Sequence, residues 1–372
     1  MEKLGVGIIG CGNISTAYLK LAPMFKALDV RKVADMNMDA ARARADEFGV
    51  SAVSVEDLLA ADDIDVIVNL TIPDAHFAVT RRILEAGKHA YSEKPFVLTL
   101  EEGEILRGIC AEKGVRVGSA PDTWMGGAHQ AARMAIDAGK VGRITSGTAH
   151  VMSAGMEMWH PNPDFFFLPG AGPMLDIGPY YVTNLIQLLG PVEKVAALAS
   201  SASDTRTITS EPRKGEKIPV RTPTNIHALL QFVSGATVTI STSWDVHAHR
   251  HANMELYGTE GSLFVPDPNF FGGTVEIAGK DGEIKEMAQP EHPFSVVNDG
   301  ERANYRTAGL ADMAQAISEG RPHRCSLEMA LHAVDVMTSV LKSGETGQFV
   351  RLSTTCERPE AVTPQEAKAL MA

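Results

Sequence analysis

Long hydrophobic runs are missing from this 372-residue chain, and cysteine is sparse. No uninterrupted apolar stretch approaches the roughly 20 residues that a membrane-spanning helix needs. The first residues, MEKLGVGIIG, lack the basic start and the long apolar segment of a signal peptide, so we expect a cytoplasmic protein without a membrane partner. Cys11, Cys110, Cys325 and Cys356 lie far apart, in neither a disulfide framework nor a CxxC metal spacing. We expect buried or incidental thiols.

Positive charge is also in short supply. The chain has 34 Lys and Arg residues against 46 Asp and Glu residues, a net charge of -12. This charge repels nucleic acid and disfavours multiply anionic substrates, so a neutral or weakly charged small molecule is the expected ligand. The chain is longer than the ~250–300 residues at which a single core stops growing, which predicts two domains.

Strand-like and helix-like segments alternate over the first third of the chain, as in a doubly wound parallel sheet. The predicted strands are LGVGIIG, VRKVADM, IDVIVNL, HAYSEK and VRVGSA. The predicted crossover helices are ISTAYLKLAPMFKAL, DAARARADEFG, DAHFAVTRRILEAG and LEEGEILRGICAEKG. The sequence therefore predicts an α/β domain of the Rossmann type over residues 1–121.

A glycine-rich turn, GCGNIS, follows the first predicted strand. It matches the dinucleotide-binding fingerprint GxGxxG, with Ser15 in place of the last glycine. Gly10 would allow the tight turn, and Gly12 would let a pyrophosphate approach the helix amino terminus at Asn13 and Ile14. The motif alone is weak, and its position between a strand and a helix strengthens it.

Asp35 ends the second predicted strand, 23 positions after Gly12. A carboxylate there can accept hydrogen bonds from the adenosine ribose hydroxyls. The 2′-phosphate of NADP would meet a like charge, and Met36 and Asn37 supply no cation, so NAD is predicted and NADP is less favoured. The alternative is that Asp35 caps the turn after its strand.

Two later loops follow predicted strands. Ligands of open α/β sheets lie across the carboxyl ends of the strands, so Thr71 and Pro73 should face the cofactor. His76 either touches a ribose hydroxyl or is solvated in the first turn of a helix. The next strand ends in the triplet Glu93-Lys94-Pro95, a pattern that most often marks a charged surface turn.

The order and spacing of the motifs resemble the Gfo/Idh/MocA family of sugar and polyol dehydrogenases over nearly the whole chain. The matching segments are GCGNIS, TIPDAHF, EAGKHAYSEKP, GKVGRI, GAGPMLDIGPYY, YGTEGSL and CSLEMALHAVDVMTSVLKSGETGQFVRL. The resemblance implies that Lys94 projects between cofactor and substrate. An ammonium there can donate to the reacting oxygen and favour the ionised form of a neighbouring acid. Glu93 either assists the cofactor ribose or holds the local turn.

After GKVGRI the pattern changes to runs of alternating polarity, such as ITSGTAHVMS, HALLQFV, ATVTISTSW and NMELYGT. These predict an α+β domain with an open, mostly antiparallel sheet over residues 122–372. The family resemblance implies subunit contacts through that sheet, and hence a homo-oligomer, a dimer or a tetramer. Two carboxyl-terminal helices, NYRTAGLADMAQAISEG and SLEMALHAVDVMTSVLKSG, are expected to pack back on the first domain.

The second family signature is a glycine-rich turn leading into D-x-G-x-H, and this chain has Tyr180 at the histidine position. Tyrosine titrates near ~10 and is a poor base unless a cation such as Lys94 stabilises the phenolate. The glucose-fructose oxidoreductase and dihydrodiol dehydrogenase branches look similar. Asp176, at an i, i+4 spacing from Tyr180, would bind substrate or hold Lys94, or else cap the following helix. Asn184 binds a substrate hydroxyl or lies in the core or on the surface.

Three aromatic side chains are candidates to line a sugar-sized pocket: Trp124, Trp159 and His160. Aromatic faces pack against the C–H side of a sugar ring, although loops also use tryptophan to pin themselves to the body of a protein.

A histidine-rich run, WDVHAHRH, covers residues 244–251. If it is extended, His247, His249 and His251 share one face. Hydride transfer needs no metal, so no metal is predicted. A polar strand face at an interface or cleft explains the pattern as well, and a substrate contact by one of these histidines or by Arg250 is a better hypothesis than a metal.

The sequence therefore predicts an NAD-dependent dehydrogenase that oxidises a hydroxyl of a neutral sugar or polyol. Tyr180 would be the base, Lys94 would polarise the oxygen, and Asp176 would orient the substrate or the lysine. A cyclic aldose, for example a pentose such as apiose, would give a lactone. The alternatives are a trans-dihydrodiol or carbonyl oxidoreductase that uses NADP, and a sugar sensor that binds dinucleotide without turnover.

Overall fold

The structure is a computed structural model that describes residues 3–372. Strands and helices alternate through the amino-terminal part in this order: β1 (Leu4–Ile9), α1 (Asn13–Leu21), β2 (Leu28–Ala34), α2 (Met38–Phe48), β3 (Ser51–Ala52), α3 (Val55–Ala60), β4 (Val66–Asn69), α4 (Pro73–Glu85), β5 (His89–Ser92), α5 (Leu100–Lys113) and β6 (Val117–Ser119). A 3-10 helix at Ala22–Met24 follows α1, and another lies at Thr123–Met125.

The six strands form one parallel sheet in the order β3-β2-β1-β4-β5-β6. The order reverses between β1 and β4, which is the point where dinucleotides bind in doubly wound sheets. The predicted Rossmann fold is confirmed. The first helix was predicted to reach Leu28 but ends at Leu21, because Pro23 has no N–H to continue its hydrogen bonds.

Helices α6 to α8 and strands β7 to β16 follow in this order: α6 (Gly127–Asp137), β7 (Ile144–Met152), α7 (Gly172–Asp176), α8 (Gly178–Leu189), β8 (Val192–Ser200), β9 (Thr205–Thr207), β10 (Lys217–Pro219), β11 (Asn225–Phe232), β12 (Thr237–Ser243), β13 (Met254–Gly258), β14 (Ser262–Val265), β15 (Glu276–Ala278) and β16 (Ile284–Glu286). Three more 3-10 helices lie at Met156–Met158, Asp164–Phe167 and Pro293–Ser295. The chain then forms α9 (Ala308–Glu319), α10 (Leu327–Thr346), β17 (Val350–Arg351) and α11 (Pro364–Leu370).

A nine-stranded sheet with the order β16-β15-β14-β13-β7-β12-β11-β8-β17 dominates this part. Only its β7–β12 pair is parallel. Because the order is linear, the sheet is open, and the predicted open, mostly antiparallel sheet is confirmed. Strands β9 and β10 form a separate antiparallel pair.

The chain packs as two compact units that interleave along the sequence. Unit 1 contains the described residues through Gly127 together with Glu291–Val334 and Pro359–Ala372, and unit 2 contains Ala128–Pro290 and Asp335–Arg358. The sequence predicts a boundary at residues 121–122 and two carboxyl-terminal helices, here α9 and α10, that pack back on the first domain. Unit 1 includes α9 and the first part of α10, where Leu327, Leu331 and Val334 share a core with Leu106 and Phe96. Such long-range burial leaves no boundary signal in the local sequence.

The four cysteines are free thiols, and Cys11, Cys325 and Cys356 are buried. None of the helices in residues 3–372 is both long enough and apolar enough to cross a membrane.

Candidate active site

The glycine-rich turn lies between β1 and α1. Gly10 has φ +103°, and a Cβ there would lie 2.6 Å from the Leu70 carbonyl, so only glycine fits. A Cβ on Gly12, in contrast, would meet no described atom within 4 Å. Gly12 is the N-cap of α1, without a side-chain cap, and is followed by the exposed Asn13 and the partly exposed Ile14. The open space over the helix amino terminus fits a dinucleotide pyrophosphate.

Asp35 follows β2 at the same carboxyl edge of the sheet. Its Oδ2 accepts a hydrogen bond from the Cys11 N–H at 2.8 Å, and its Oδ1 accepts one from the Asn37 N–H at 2.8 Å. Asp35 therefore caps the turn after its strand, which is the alternative role predicted for it. Each carboxylate oxygen has a second lone pair, so Asp35 still has the capacity to accept from a ribose hydroxyl. The Met36 side chain beside it is 99% exposed.

Arg44 on α2 is a cation near the glycine-rich turn that sequence reasoning missed. Its Nε donates to Ser15 Oγ at 3.2 Å, and Ser15 Oγ donates to the Gly12 carbonyl at 2.6 Å. Its Nη1 pairs with Glu47 at 2.6 Å, which offsets part of its charge. The sequence shows only that Arg44 lies on a predicted crossover helix, and nothing in that position indicates this contact.

His76 lies inside unit 1, which corrects the solvated alternative predicted for it and gives no support to a ribose contact. Its side chain is 1% exposed, with Nδ1 2.7 Å from the Pro95 carbonyl oxygen and Nε2 3.0 Å from the Thr71 carbonyl oxygen. Burial lowers the pKa of His76. The preceding loop is ordered as well, since Thr71 Oγ1 donates to Asn69 Oδ1 at 2.6 Å. Asn69 is a polar residue at the end of an apolar strand, and this pattern could have identified it from the sequence.

The triplet Glu93-Lys94-Pro95 forms a turn directly after β5. Glu93 Oε1 accepts from the Tyr18 hydroxyl at 3.0 Å, and Glu93 Oε2 accepts from the Lys94 N–H at 3.0 Å. Glu93 therefore holds the turn, one of the two roles predicted for it. The side chains of Glu93 and Lys94 are half-buried, and the Lys94–Pro95 peptide bond is cis. Tyr18 is a supporting residue that the sequence pattern did not single out.

The predicted cofactor residues thus follow the carboxyl ends of four adjacent parallel strands. Gly10 follows β1, Asp35 follows β2, Thr71 and Pro73 follow β4, and the Lys94 turn follows β5. Carboxyl ends of parallel strands share one edge, so unit 1 brings these residues to one edge of its sheet.

In unit 2, Asp176 and Tyr180 lie on two successive helices rather than on one. Asp176 is the last residue of α7, and Tyr180 lies in the first turn of α8. The N-cap of α8 is Ile177, without a side-chain cap, so Asp176 does not start that helix. The Tyr180 side chain is 8% exposed, and Asp176 is partly exposed. Their shared role in catalysis stays a prediction.

Two residues predicted to bind substrate lie in the interior. Asn184 is fully buried, its Nδ2 is 3.3 Å from His129 Nδ1, and its Oδ1 accepts from Gln187 Nε2 at 2.9 Å. Trp124 is 1% exposed. Every residue of α8 is buried, so Asn184, four residues after Tyr180, does not lie on a surface that a substrate could contact. This placement gives no support to a substrate contact by Asn184 or Trp124.

Trp159 and His160 lie on an aromatic loop of unit 2. The Trp159 side chain is 63% exposed, and its ring meets His160 edge to face with centroids 5.4 Å apart. Ser210 Oγ donates to the His160 carbonyl at 2.6 Å. A small core anchors the loop and consists of Met156, Phe167, Ile208, Ile218 and Trp244. The geometry leaves Trp159 free to offer an aromatic face, and its substrate contact stays a prediction.

The histidine-rich run is irregular rather than extended, and His247, His249, Arg250 and His251 are exposed. His251 stacks on His150 of β7 with ring centroids 4.0 Å apart, and His249 lies 6.1 Å from His251. Stacked rings turn their faces toward each other and do not converge their nitrogens on one point. Within residues 3–372, no group of three or more His, Cys, Asp or Glu residues could hold a metal ion.

Comparison with known protein families gives two matches. Residues 4–120 match an oxidoreductase family model for an NAD-binding Rossmann fold, and residues 129–264 match the GFO/IDH/MocA C-terminal domain. The two matches together cover the Rossmann sheet and most of the nine-stranded sheet.

Among curated proteins, the chain is 27% identical over 291 residues to a levoglucosan dehydrogenase of Pseudarthrobacter phenanthrenivorans, covering 71% of this chain and 73% of that protein. It is 26% identical to a 1,5-anhydro-D-fructose reductase of Ensifer adhaerens, covering 94% of this chain and 98% of that protein. A solved structure of levoglucosan dehydrogenase in complex with NADH and L-sorbose has the same fold, with a TM-score of 0.81 at 22% identity over 95% of this chain and 99% of that one.

Proposed function

Because the chain belongs to the GFO/IDH/MocA family of NAD-binding oxidoreductases, we propose that it is an NAD-dependent dehydrogenase that oxidises a hydroxyl group of a neutral sugar or polyol. One observation carries this proposal: a half-buried lysine, Lys94, stands on a tethered turn at the nucleotide-binding edge of the Rossmann sheet. A solvated turn charge would need no such anchoring.

The proposed substrate class rests on chemistry and on the relatives. The relatives are named for levoglucosan and for 1,5-anhydro-D-fructose, and the solved relative holds L-sorbose. These are uncharged sugars, and the net charge of -12 disfavours a phosphorylated one. If the hydroxyl is the anomeric hydroxyl of an aldose, the product is a lactone.

NAD supplies the hydride acceptor of the reaction when it is bound. The Gly12 turn would hold its pyrophosphate, and Asp35 would accept from its adenosine ribose. Lys94 would donate a hydrogen bond to the substrate oxygen, and Tyr180 would take the hydroxyl proton on its phenolate oxygen. Asp176 would orient the substrate or the lysine.

The test is a screen of NAD reduction with the purified protein against free aldoses, cyclitols and dihydrodiols. We expect NADH formation, followed at its absorbance band, with at least one aldose or cyclitol. The proposal fails if no member of the panel reduces NAD while a carbonyl panel consumes NADPH.

That second outcome would identify the other candidate, a dihydrodiol or carbonyl oxidoreductase that uses NADP. One observation favours it: the Arg44 guanidinium lies beside the glycine-rich turn and would attract the 2′-phosphate of NADP. The Asp35 carboxylate opposes it by like-charge repulsion, and we therefore favour NAD.

We also propose that the open face of the nine-stranded sheet forms a homo-oligomer. Leu198 on β8 and Leu229 on the adjacent β11 are 74% and 45% exposed. Burying such side chains between copies is favourable. Light scattering after size exclusion should give a mass of at least two chains, and a monomer at micromolar concentration would contradict the assembly.

A further inference from the structure

The His76 ring bridges two loops of unit 1. One loop follows β4 and contains Thr71, and the other follows β5 and contains Lys94 and Pro95. The ring nitrogens lie 2.7 Å from the Pro95 carbonyl oxygen and 3.0 Å from the Thr71 carbonyl oxygen. At 1% exposure, the side chain takes both contacts from the protein rather than from water.

Either ring nitrogen of His76 can carry the proton, and the tautomer sets their donor and acceptor roles. A neutral imidazole has one N–H, and burial lowers the pKa of His76, so only one carbonyl receives a hydrogen bond. We take that N–H to lie on Nδ1, at the shorter contact of 2.7 Å, so that it donates to the Pro95 carbonyl. Thr71 then packs against the opposite edge of the ring. Of the charged groups that face His76, Glu93 favours the imidazolium and Lys94 disfavours it.

Lys94 consequently stands between two anchors. On its amino-terminal side, the Glu93 carboxylate is held by the Tyr18 hydroxyl and by the Lys94 N–H. On its carboxyl-terminal side, the Pro95 carbonyl is held by His76. A lysine side chain has a flexible four-carbon stem, so its backbone must be fixed for the ammonium to reach a defined point.

We propose that His76 is a positioning residue that fixes Lys94 through the carbonyl of Pro95, and its effect on turnover rests on the proposed function. His76 touches neither substrate nor cofactor in this role. A displacement of about 1 Å at a positioned group can reduce a rate by about 100-fold, so a single lost hydrogen bond at Pro95 is expected to have a large effect on kcat.

Three variants of the full chain separate positioning from general stability. The amide of His76→Asn branches where Nδ1 branches and keeps a donor near Pro95, whereas the amide of His76→Gln lies farther out, toward Thr71. Thr80→Val is the matched control. Thr80 is buried on the same helix and accepts from Asn69 at 3.0 Å, but it has no hydrogen bond to the Lys94 turn among those of residues 3–372.

The primary measurement is hydrogen exchange of the turn, residues 94–98, by mass spectrometry without cofactor. We expect His76→Gln to exchange about tenfold faster than wild type, as one lost buried hydrogen bond implies, with His76→Asn and Thr80→Val close to wild type. In NAD reduction, kcat should fall in the same order while KM for the sugar changes by less than about threefold.

The proposal is overturned if the turn is equally protected in all four proteins, or if Thr80→Val loosens it as much as His76→Gln. Should His76→Gln not fold, His76→Asn decides: a protected turn supports the assignment, and lost protection at an unchanged melting temperature rejects it. If exchange follows the expected order but wild type oxidises no sugar, the positioning of Lys94 by His76 is supported and the proposed function is rejected.

Discussion

Asp122 makes the stability of the protein depend on pH in a direction opposite to that of most carboxylates. Its side chain is 3% exposed, and Oδ2 accepts hydrogen bonds from the N–H groups of Thr307 at 3.0 Å and Gly309 at 2.9 Å, at the start of α9. Burial raises the pKa of Asp122 from 3.8 to about 6. Glu93 adds to this rise, and the two N–H groups and Arg306 oppose it.

The sign follows from the proton balance. Between pH 3.8 and about 6 the folded state binds the Asp122 proton more tightly than the unfolded chain does. Stability therefore falls as pH rises through this window and stays at the lower value above it. One pKa unit corresponds to about 1.4 kcal/mol, so a shift of roughly two units is worth about 3 kcal/mol in total. About 1 kcal/mol of that is expected between pH 5 and pH 7.

The variant Asp122→Asn keeps an oxygen acceptor for α9 and does not titrate. We expect the difference in free energy of unfolding, wild type minus Asp122→Asn, to decrease by about 1 kcal/mol from pH 5 to pH 7. Urea unfolding of both proteins at half-unit pH steps measures this difference. Any fixed cost of the new amide cancels, because only the change with pH is compared.

A difference that stays constant, or that rises with pH, would refute the assignment of a raised pKa to a buried Asp122. Equal slopes of free energy against urea concentration are required in both proteins, since a change in slope would indicate a change in the unfolded or native state rather than in proton binding.

Three further predictions concern the proposed catalytic lysine, the cofactor site and the core of unit 2. Lys94→Ala should lower kcat, because the proposed donor to the substrate oxygen is lost; an unchanged kcat would remove this role. Asp35→Ser should raise the NADP to NAD ratio of kcat/KM by at least about tenfold, because it removes a like charge while Arg44 stays; an unchanged ratio would reject it. Asp335→Ala should lower the free energy of unfolding by about 3 kcal/mol in urea titrations, because Asp335 accepts hydrogen bonds from Ser339, Ser353 and Thr354; a loss below about 1 kcal/mol would contradict this.

The Rossmann fold was predictable because its signals are local. Period-two runs, helical runs and glycines past the helix ends, such as Gly49 and Gly114 in the left-handed conformation, are visible in the sequence. Strand β3 and helix α3 were not predicted, because two and six residues carry too little periodicity.

The cofactor residues were also predictable in outline. Gly10, Asp35 and Lys94 each lie within the last two residues of a predicted strand, and parallel strands place their carboxyl ends at one edge. The supporting residues were not predictable. Tyr18 and Arg44 lie on helix faces whose neighbours are set by packing between distant segments.

Burial was the main source of difference between prediction and structure. His76, Trp124 and Asn184 are polar or aromatic residues near motifs, and a cofactor or substrate contact is one of the alternatives predicted for each. Each is at most 1% exposed. A side chain is buried when segments far away in sequence pack over it, and neither the residue type nor the local spacing indicates this burial.

The amino-acid sequence alone determined the two types of sheet, the family resemblance, the glycine-rich turn and the position of Lys94 at a strand end, because each depends on periodicity or on a short motif. Only the tertiary structure decided that Tyr18 holds Glu93 at the turn, that His76 joins two loops and that α11 belongs with unit 1. These facts depend on hydrogen bonds and burial between segments that lie tens to hundreds of residues apart, and no local pattern encodes them.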